Sequence, residues 1–130
     1  MTPAPRLLFG RRMRLTKDRE FRAVFAARVR KSHGPVTVYG RPNGLDVSRL
    51  GLSISRRVGN AVMRNRFKRL VREAFRLGQH DLPSGFDLIV VLRPHEARDL
   101  TFYREAMERC VREIAGVWAK RSARGASDDG

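Results

Sequence analysis

The stretch Gly59–Arg76, GNAVMRNRFKRLVREAFR, decides how this chain folds and how its charge is arranged. Apolar side chains recur at helical spacing from Met63 to Phe75, which predicts an amphipathic helix with one buried stripe. Asn60 is a favourable N-cap, and Gly78 is placed as the C′ residue that ends the helix. The opposite face is crowded with arginine, although like charges three or four residues apart on a helix repel. Burial of the stripe, at roughly 1.5–3 kcal/mol per large side chain, outweighs this repulsion.

Positive charge dominates the chain as a whole. The 130 residues include 28 Lys and Arg against 13 Asp and Glu, a formal net charge of +15. From Arg56 to Arg76 eight residues are basic and only Glu73 is acidic. A solvated charged face without a binding partner is one interpretation of these residues. Such faces usually mix positive and negative charges, so the excess of positive charge favours a polyanionic partner. The charge spreads along the whole helix and a strand precedes it, which favours structured RNA over a duplex DNA reader.

Two further helices are predicted. Thr16 is expected to cap the first, which carries an apolar stripe and ends near Arg30 because Gly34-Pro35 cannot continue it. Thr101 is expected to cap the last, where apolar residues recur from Tyr103 to Trp118. The basic helix therefore lies between two helices that each have an apolar face to bury.

Strands occupy the segments between the helices. Alternation predicts strands over 35–39 and 49–55, and the apolar run FDLIVVL over 86–92 predicts a central strand buried on both faces. The order helix, strand, strand, helix, strand, helix predicts the α+β class. The expected architecture is a small α–β sandwich in which three helices pack on a mixed sheet of about four strands.

The chain length predicts one domain. Residues 14–120 are expected to form it, with residues 1–13 as a flexible basic arm and 121–130 as a disordered tail. The single cysteine, Cys110, excludes an internal disulfide, and no run of about 18 apolar residues predicts a membrane span. A cytoplasmic location without membrane contact is expected.

Candidate catalytic groups are sparse in the sequence. His33, His80 and His95 are widely separated and lack metal-ligand spacing, and Cys110 falls within the apolar stripe of the last helix. We therefore predict no catalytic residue and no metal site in the protein itself.

Three aromatic residues admit two interpretations. Phe21 and Phe25 lie four residues apart on the first helix, and Tyr39 ends a predicted strand. They can pack in the core, or they can form a platform on which unpaired bases stack. Ser53 and Ser55 lie on the small, polar face of the second strand, which leaves a shallow floor.

The order of three segments closely resembles the protein subunit of bacterial ribonuclease P. They are RLTKDREFRAVF (14–25), RLGLSISRRVGNAVMRNRFKRLVREAFR (49–76) and FDLIVVLRP (86–94). The resemblance covers residues 14–118, and the family signature lies within 59–72. It implies that residues 14–120 are a ribonuclease P protein domain with a left-handed βαβ crossover, a rare exception to the usual handedness.

The resemblance also implies partners and a division of labour. A large catalytic RNA, acting with Mg²⁺, removes the 5′ leader of precursor tRNA, and the protein binds both that RNA and the leader without an obligate protein partner. Residues that match the family's RNA-contacting signature, with their basic or polar neighbours, form the predicted basic face: Arg56, Arg57, Asn60, Arg64, Asn65, Arg66, Lys68, Arg69, Arg72 and Arg76. The predicted leader cleft comprises Phe21, Phe25, Tyr39, Ser53, Ser55 and Arg93.

Two other classes of function remain open from the residues alone. One is a general structured-RNA-binding protein of ribosomal or chaperone type, which needs only the basic face. The other is a protein-only nuclease or a DNA-binding regulator, against which the lack of an acidic or histidine cluster counts.

Overall fold

The computed structural model describes residues 9–128, with side chains described as far as Arg124. This part of the chain forms α1 (Asp18–Ala26), β1 (Arg30–His33), β2 (Val36–Pro42), β3 (Arg49–Ser53), α2 (Ala61–Gly78), β4 (Phe86–Leu92) and α3 (Leu100–Asp128). The prediction of a small α+β protein with three helices and a mixed four-stranded sheet is confirmed. No helix among the described residues is both long and apolar enough to span a bilayer.

The strands lie in the order β1-β2-β4-β3. Strand β2 pairs antiparallel with β1 and β4, whereas β3 pairs with β4 in parallel. The central position predicted for FDLIVVL is therefore confirmed, and Leu88, Ile89 and Val90 are fully buried. The parallel pair makes β3–α2–β4 the expected crossover unit, whose hand stays a prediction.

The sheet separates two hydrophobic clusters. Helices α2 and α3 bury their stripes against one face, where Phe67, Val71 and Ile114 meet Val38 and Val90. Helix α1 packs on the opposite face, where Val24 and Ile89 are buried and Phe21, Phe25, Tyr39 and Val91 are half-buried around them. Alternation along the strands sends neighbouring side chains into the two clusters.

The start of α1 differs from the prediction. The N-cap position is Lys17 rather than Thr16, and capping comes from within the helix. The Glu20 carboxylate accepts the backbone N–H groups of Lys17 at 3.1 Å and Thr16 at 3.4 Å. A glutamate at the third helical position thus satisfies the N–H groups that precede the helix, in place of the capping by the Thr16 hydroxyl that was expected.

The end of α1 also differs, and the difference creates a strand. The helix ends at Ala26 instead of near Arg30, because Arg28 adopts a left-handed conformation with φ of 59°. The chain turns there and runs into β1, which the sequence analysis missed. Strand β1 is a polar edge strand, RKSH, so it has no hydrophobic alternation to reveal it.

The ends of the other two helices correct three further expectations. Gly78 is the last residue of α2 and not a C′ residue, since Gln79 follows it with helical dihedrals. Asp99, not Thr101, caps α3, because its Oδ1 accepts the Phe102 N–H at 2.9 Å. Helix α3 continues to Asp128, into the segment 121–130 that is predicted to be a disordered tail and whose residues 129–130 lie outside the described residues. The tail sequence lacks proline and continues from a packed helix, so propagation needs no new nucleus.

A charged network ties α1 to the sheet. The Arg49 guanidinium binds both oxygens of the buried Asp87 carboxylate, at 2.8 and 2.7 Å, and Oε2 of Glu20 at 2.8 Å. Partial burial raises the pKa of Glu20, but the N–H groups of Lys17 and Thr16 and the charge of Arg49 outweigh it, so the pKa is lowered overall. The network therefore holds the helix that carries Phe21 and Phe25 in a fixed position on the sheet.

Part of the predicted arm packs against the domain. The ring of Phe9 lies edge-on to Phe75, with centroids 5.3 Å apart, and Met13 packs on the main core. Arg14 forms a parallel bridge with Leu50 at the open edge of β3. Residues 1–8 of the arm lie outside the described residues.

Candidate nucleic-acid interface

Helix α2 presents the basic face as the sequence predicts. The Asn60 side chain caps it by accepting the Met63 N–H at 3.0 Å, so that oxygen is engaged within the protein. Phe67, Val71 and Phe75 point into the core. The cationic side chains on the helix are directed outward, where Arg66, Arg69 and Arg72 are exposed and Arg64, Lys68 and Arg76 are half-buried.

Most of this charge is not neutralised by the part of the chain that the structure describes. Arg76 forms a two-bond ion pair with Glu73, and the hydrogen bond from Arg76 lowers the pKa of that carboxyl. Seven other basic residues make no ion pair with any described side chain. They are Arg56, Arg57, Arg64, Arg66, Lys68, Arg69 and Arg72. The face therefore has a large excess of cations available to an external anion.

One of these cations has an unsatisfied buried donor. The Nε atom of Arg64 is buried and has no hydrogen-bond partner within the described part of the chain. Such donors are rare because desolvation without a partner costs free energy.

A groove of about 420 Å³ follows α2 and joins the N-terminal segment to the basic face. Phe9 and Arg14 form one wall, and the Arg14 guanidinium lies 4.8 Å from the Phe9 ring centroid. The other wall consists of Asn65, Lys68, Arg69, Arg72, Glu73 and Arg76. Sequence reasoning missed Phe9 and Arg14, because they reach α2 through contacts that no local pattern encodes.

A second cavity connects the basic face to α1. It has a volume of about 190 Å³, and Lys68 and Arg72 line it together with Arg14, Phe21 and Gly51. It lies at the outer edge of β3, the edge strand between the two sides of the sheet. This cavity therefore brings Lys68 and Arg72 of the predicted RNA-contacting surface together with Phe21 of the predicted leader cleft.

Phe21 begins the aromatic side of that surface and requires a glycine beneath it. A Cβ atom at Gly51 would lie 2.7 Å from Cζ of Phe21, which is closer than van der Waals contact allows. Ser53, two residues further along the same face of β3, is exposed, as is Ser55 beyond the strand. The small floor predicted from alternation is present, and Phe21 covers its first residue.

Phe25 and Tyr39 continue the cleft across the sheet. Their rings meet edge-to-face with centroids 4.8 Å apart, and both are half-buried. They line a cavity of about 400 Å³ with Arg28 and Arg30. Neither arginine is among the site residues predicted from the sequence. Arg93 is exposed after the end of β4 and is not among the residues that line this cavity.

The histidines and the cysteine lie in separate places. His95 donates from Nδ1 to the Arg93 carbonyl and contacts the Tyr103 hydroxyl through Nε2, both at 2.7 Å, so it links the β4–α3 connection to α3. Burial raises the pKa of the Cys110 thiol to about 11. Among the described residues no three His, Cys, Asp or Glu side chains are grouped so that they could hold a metal ion.

These features define a class of protein: a small basic α+β domain with an unpaired cationic helix face that continues into an aromatic cleft. The ribonuclease P family model matches residues 9–115. The ribonuclease P protein component of Photorhabdus laumondii subsp. laumondii is 45% identical over 120 residues, which cover 92% of this chain and 94% of that protein. The chain belongs to the ribonuclease P protein family, and the resemblance found in the sequence is confirmed.

Solved structures of two relatives have the same fold. The RNase P protein from Thermotoga maritima is 38% identical and superposes with a TM-score of 0.63, covering 72% of this chain and 90% of that one. The Staphylococcus aureus RNase P protein is 30% identical, with a TM-score of 0.67 over 79% of this chain and 94% of its own. The likeness extends over nearly the whole length of both relatives.

Proposed function

We propose that this chain is the protein subunit of a ribonuclease P ribonucleoprotein that removes the 5′ leader of precursor tRNA in the cytoplasm. The observation that carries the proposal is the set of seven unpaired cations from Arg56 to Arg72 on and beside α2. In a family whose members are ribonuclease P protein components, such a face supports binding of the catalytic RNA.

The basic face suits contact with the phosphate backbone rather than with base edges. Arginine and lysine side chains follow the helix through Arg66, Lys68, Arg69 and Arg72, and guanidinium groups bind phosphate oxygens in pairs. Asn65 is exposed in the same groove and can both donate and accept hydrogen bonds. We assign catalytic-RNA binding to this face and the cleavage chemistry to that RNA and the Mg²⁺ it holds.

The aromatic cleft supports a second contact, with the unpaired leader. The half-buried rings of Phe21, Phe25 and Tyr39 follow one another across the sheet from β3 towards β1. Aromatic rings bind single-stranded bases with little sequence preference. The cleft joins the basic face at the edge of β3, so one protein surface can contact the catalytic RNA and the leader together.

The alternative is a general structured-RNA-binding protein. The basic face alone supports both functions, whereas the aromatic cleft favours the ribonuclease P subunit because it is suited to an unpaired strand. The two proposals therefore differ in whether binding depends on the leader.

The test measures the affinity of the assembled ribonucleoprotein for precursor tRNA and for the same tRNA without its leader. The ribonuclease P subunit predicts tighter binding of the precursor, and this preference must disappear when the RNA is assayed without the protein. Equal affinities for the two tRNAs, in the presence of a folded and RNA-bound protein, would favour the general RNA-binding protein instead.

A further inference from the structure

Arg28 adopts a backbone conformation that disfavours its own side chain. Its φ is 59°, and the other described residues with φ in the left-handed region are glycines. It follows the C-cap residue Ala27, and its backbone N–H donates a hydrogen bond to the Phe25 carbonyl at 3.1 Å, at the end of α1. Glycine is the usual residue at this position because it adopts positive φ without steric cost. Glycine would therefore adopt this backbone conformation at a lower steric cost than arginine does.

The Arg28 side chain makes no polar contact with the described residues that would offset this cost. It is exposed, and its guanidinium has neither a hydrogen bond nor an ion pair with any side chain from residue 9 to residue 124. Strained residues of this kind concentrate at binding sites, where a ligand uses the side chain.

The side chain lines a cavity whose composition points to one kind of ligand. Arg28, Arg30, Phe25 and Tyr39 surround a volume of about 400 Å³, which falls within the usual range of ligand pockets, roughly 300–1,000 Å³. No acidic side chain lines it. Two guanidinium groups beside two aromatic rings match the two parts of a nucleotide, a phosphate and a base.

Arg30 retains most of its donors for such a ligand. One terminal nitrogen donates to the Tyr39 hydroxyl at 3.1 Å, which fixes the side chain beside the ring. A guanidinium carries five N–H groups, so several remain for a phosphate. Arg30 is thus positioned in advance by Tyr39, whereas Arg28 is free to close on the ligand.

We propose that Arg28 and Arg30 together bind a backbone phosphate of the unpaired leader and extend the leader cleft past the Phe25–Tyr39 pair. This assignment rests on the proposed function and adds the path that the leader strand takes across the protein. The strand enters beside Phe21 at the β3 edge, crosses the sheet, and leaves between Arg28 and Arg30 at β1.

Arg28→Gly tests this assignment because its effects on folding and on binding have opposite signs. The midpoint of thermal unfolding of the free protein is expected to rise by about 2–5 °C, since glycine relieves the left-handed strain. The affinity of the reconstituted holoenzyme for precursor tRNA is expected to fall about three- to tenfold, with the log–log salt slope reduced by about 0.7. Affinity for mature tRNA and for the catalytic RNA is expected to be unchanged.

Two matched variants identify the cause of any loss. Arg28→Lys keeps the charge and is expected to recover most of the precursor affinity. Arg124→Ala removes one exposed charge near the end of α3, a helix that packs on the face of the sheet opposite α1, and is expected to have no effect. An unchanged precursor affinity in Arg28→Gly, or equal losses for precursor and mature tRNA, would overturn the assignment. If the unmodified holoenzyme itself shows no leader preference, the proposed function has failed instead.

Discussion

Replacing Arg66 by alanine isolates one contact of the basic face with little cost to the fold. Arg66 is exposed on α2, and its side chain has no hydrogen bond or ion pair with any described residue. Alanine is the stronger helix former, so the free energy of unfolding is expected to change by less than about 0.5 kcal/mol. Any loss of RNA affinity can then be attributed to the interface.

The size of the loss follows from counterion release. If each of the seven unpaired cations contacts one phosphate, affinity for the catalytic RNA falls with salt at a log–log slope of roughly −5 to −6. Removing Arg66 is expected to reduce this slope by about 0.7–0.9. At about 0.15 M salt, relative to a reference of about 1 M, that corresponds to an affinity about four- to fivefold weaker.

The assay is a titration of the catalytic RNA with wild-type protein and variant over a series of monovalent salt concentrations at fixed Mg²⁺. Arg124→Ala serves as the charge-matched control. A parallel salt dependence for wild type and Arg66→Ala would remove Arg66 from the interface. A slope that also falls in the control would show that only net charge matters and would refute the assignment of a specific face.

Four further predictions concern the cleft, the charged network and the core. Phe21→Ala is expected to weaken precursor tRNA binding about tenfold, because a stacked base contributes about 1–3 kcal/mol, and to leave catalytic-RNA binding unchanged. Equal losses of affinity for precursor tRNA and for the catalytic RNA would show a purely structural role. Arg49→Met is expected to lower the free energy of unfolding by about 2–4 kcal/mol, because buried Asp87 loses its two-bond partner; urea denaturation measures this, and a change within error would contradict it. The pKa of Glu20 is lower in the folded protein than in the unfolded chain, so its carboxylate stabilises the fold above about pH 4.5. This contribution is lost as the pH falls through the folded-state pKa. The free energies of unfolding of wild type and Glu20→Gln are therefore expected to converge in acid. The Cys110 thiol, with its pKa raised to about 11 by burial, is expected to react with a thiol reagent at neutral pH only after unfolding; rapid labelling of the folded protein would contradict this.

Elements with a strong local pattern could be predicted from the sequence. The apolar stripe and the Asn60 cap predict helix α2, and an uninterrupted apolar run predicts the central strand. Strand β1 could not be predicted, because an edge strand of four polar residues gains its structure from pairing with β2. The end of α1 was misplaced for a related reason, since nothing in the sequence marks Arg28 as the residue that adopts positive φ.

The candidate site shows the same division between local and long-range information. The cations of α2 are visible in the sequence because they share one helix, and they make the basic face predictable. The wall formed by Phe9 and Arg14 depends on the N-terminal segment docking beside α2, a contact between residues more than fifty positions apart. The ion pair that occupies Arg76 depends on a side-chain rotamer that spacing permits but does not determine.

The most direct test of the central claim is cleavage of precursor tRNA at near-physiological Mg²⁺ by the cognate ribonuclease P RNA, by this protein, and by both together. We expect 5′ cleavage that is far faster with both components than with the RNA alone, and no cleavage with the protein alone. Cleavage by the protein alone would contradict the assignment of the chemistry to the RNA. A folded protein that fails to stimulate the RNA would contradict its role as the subunit.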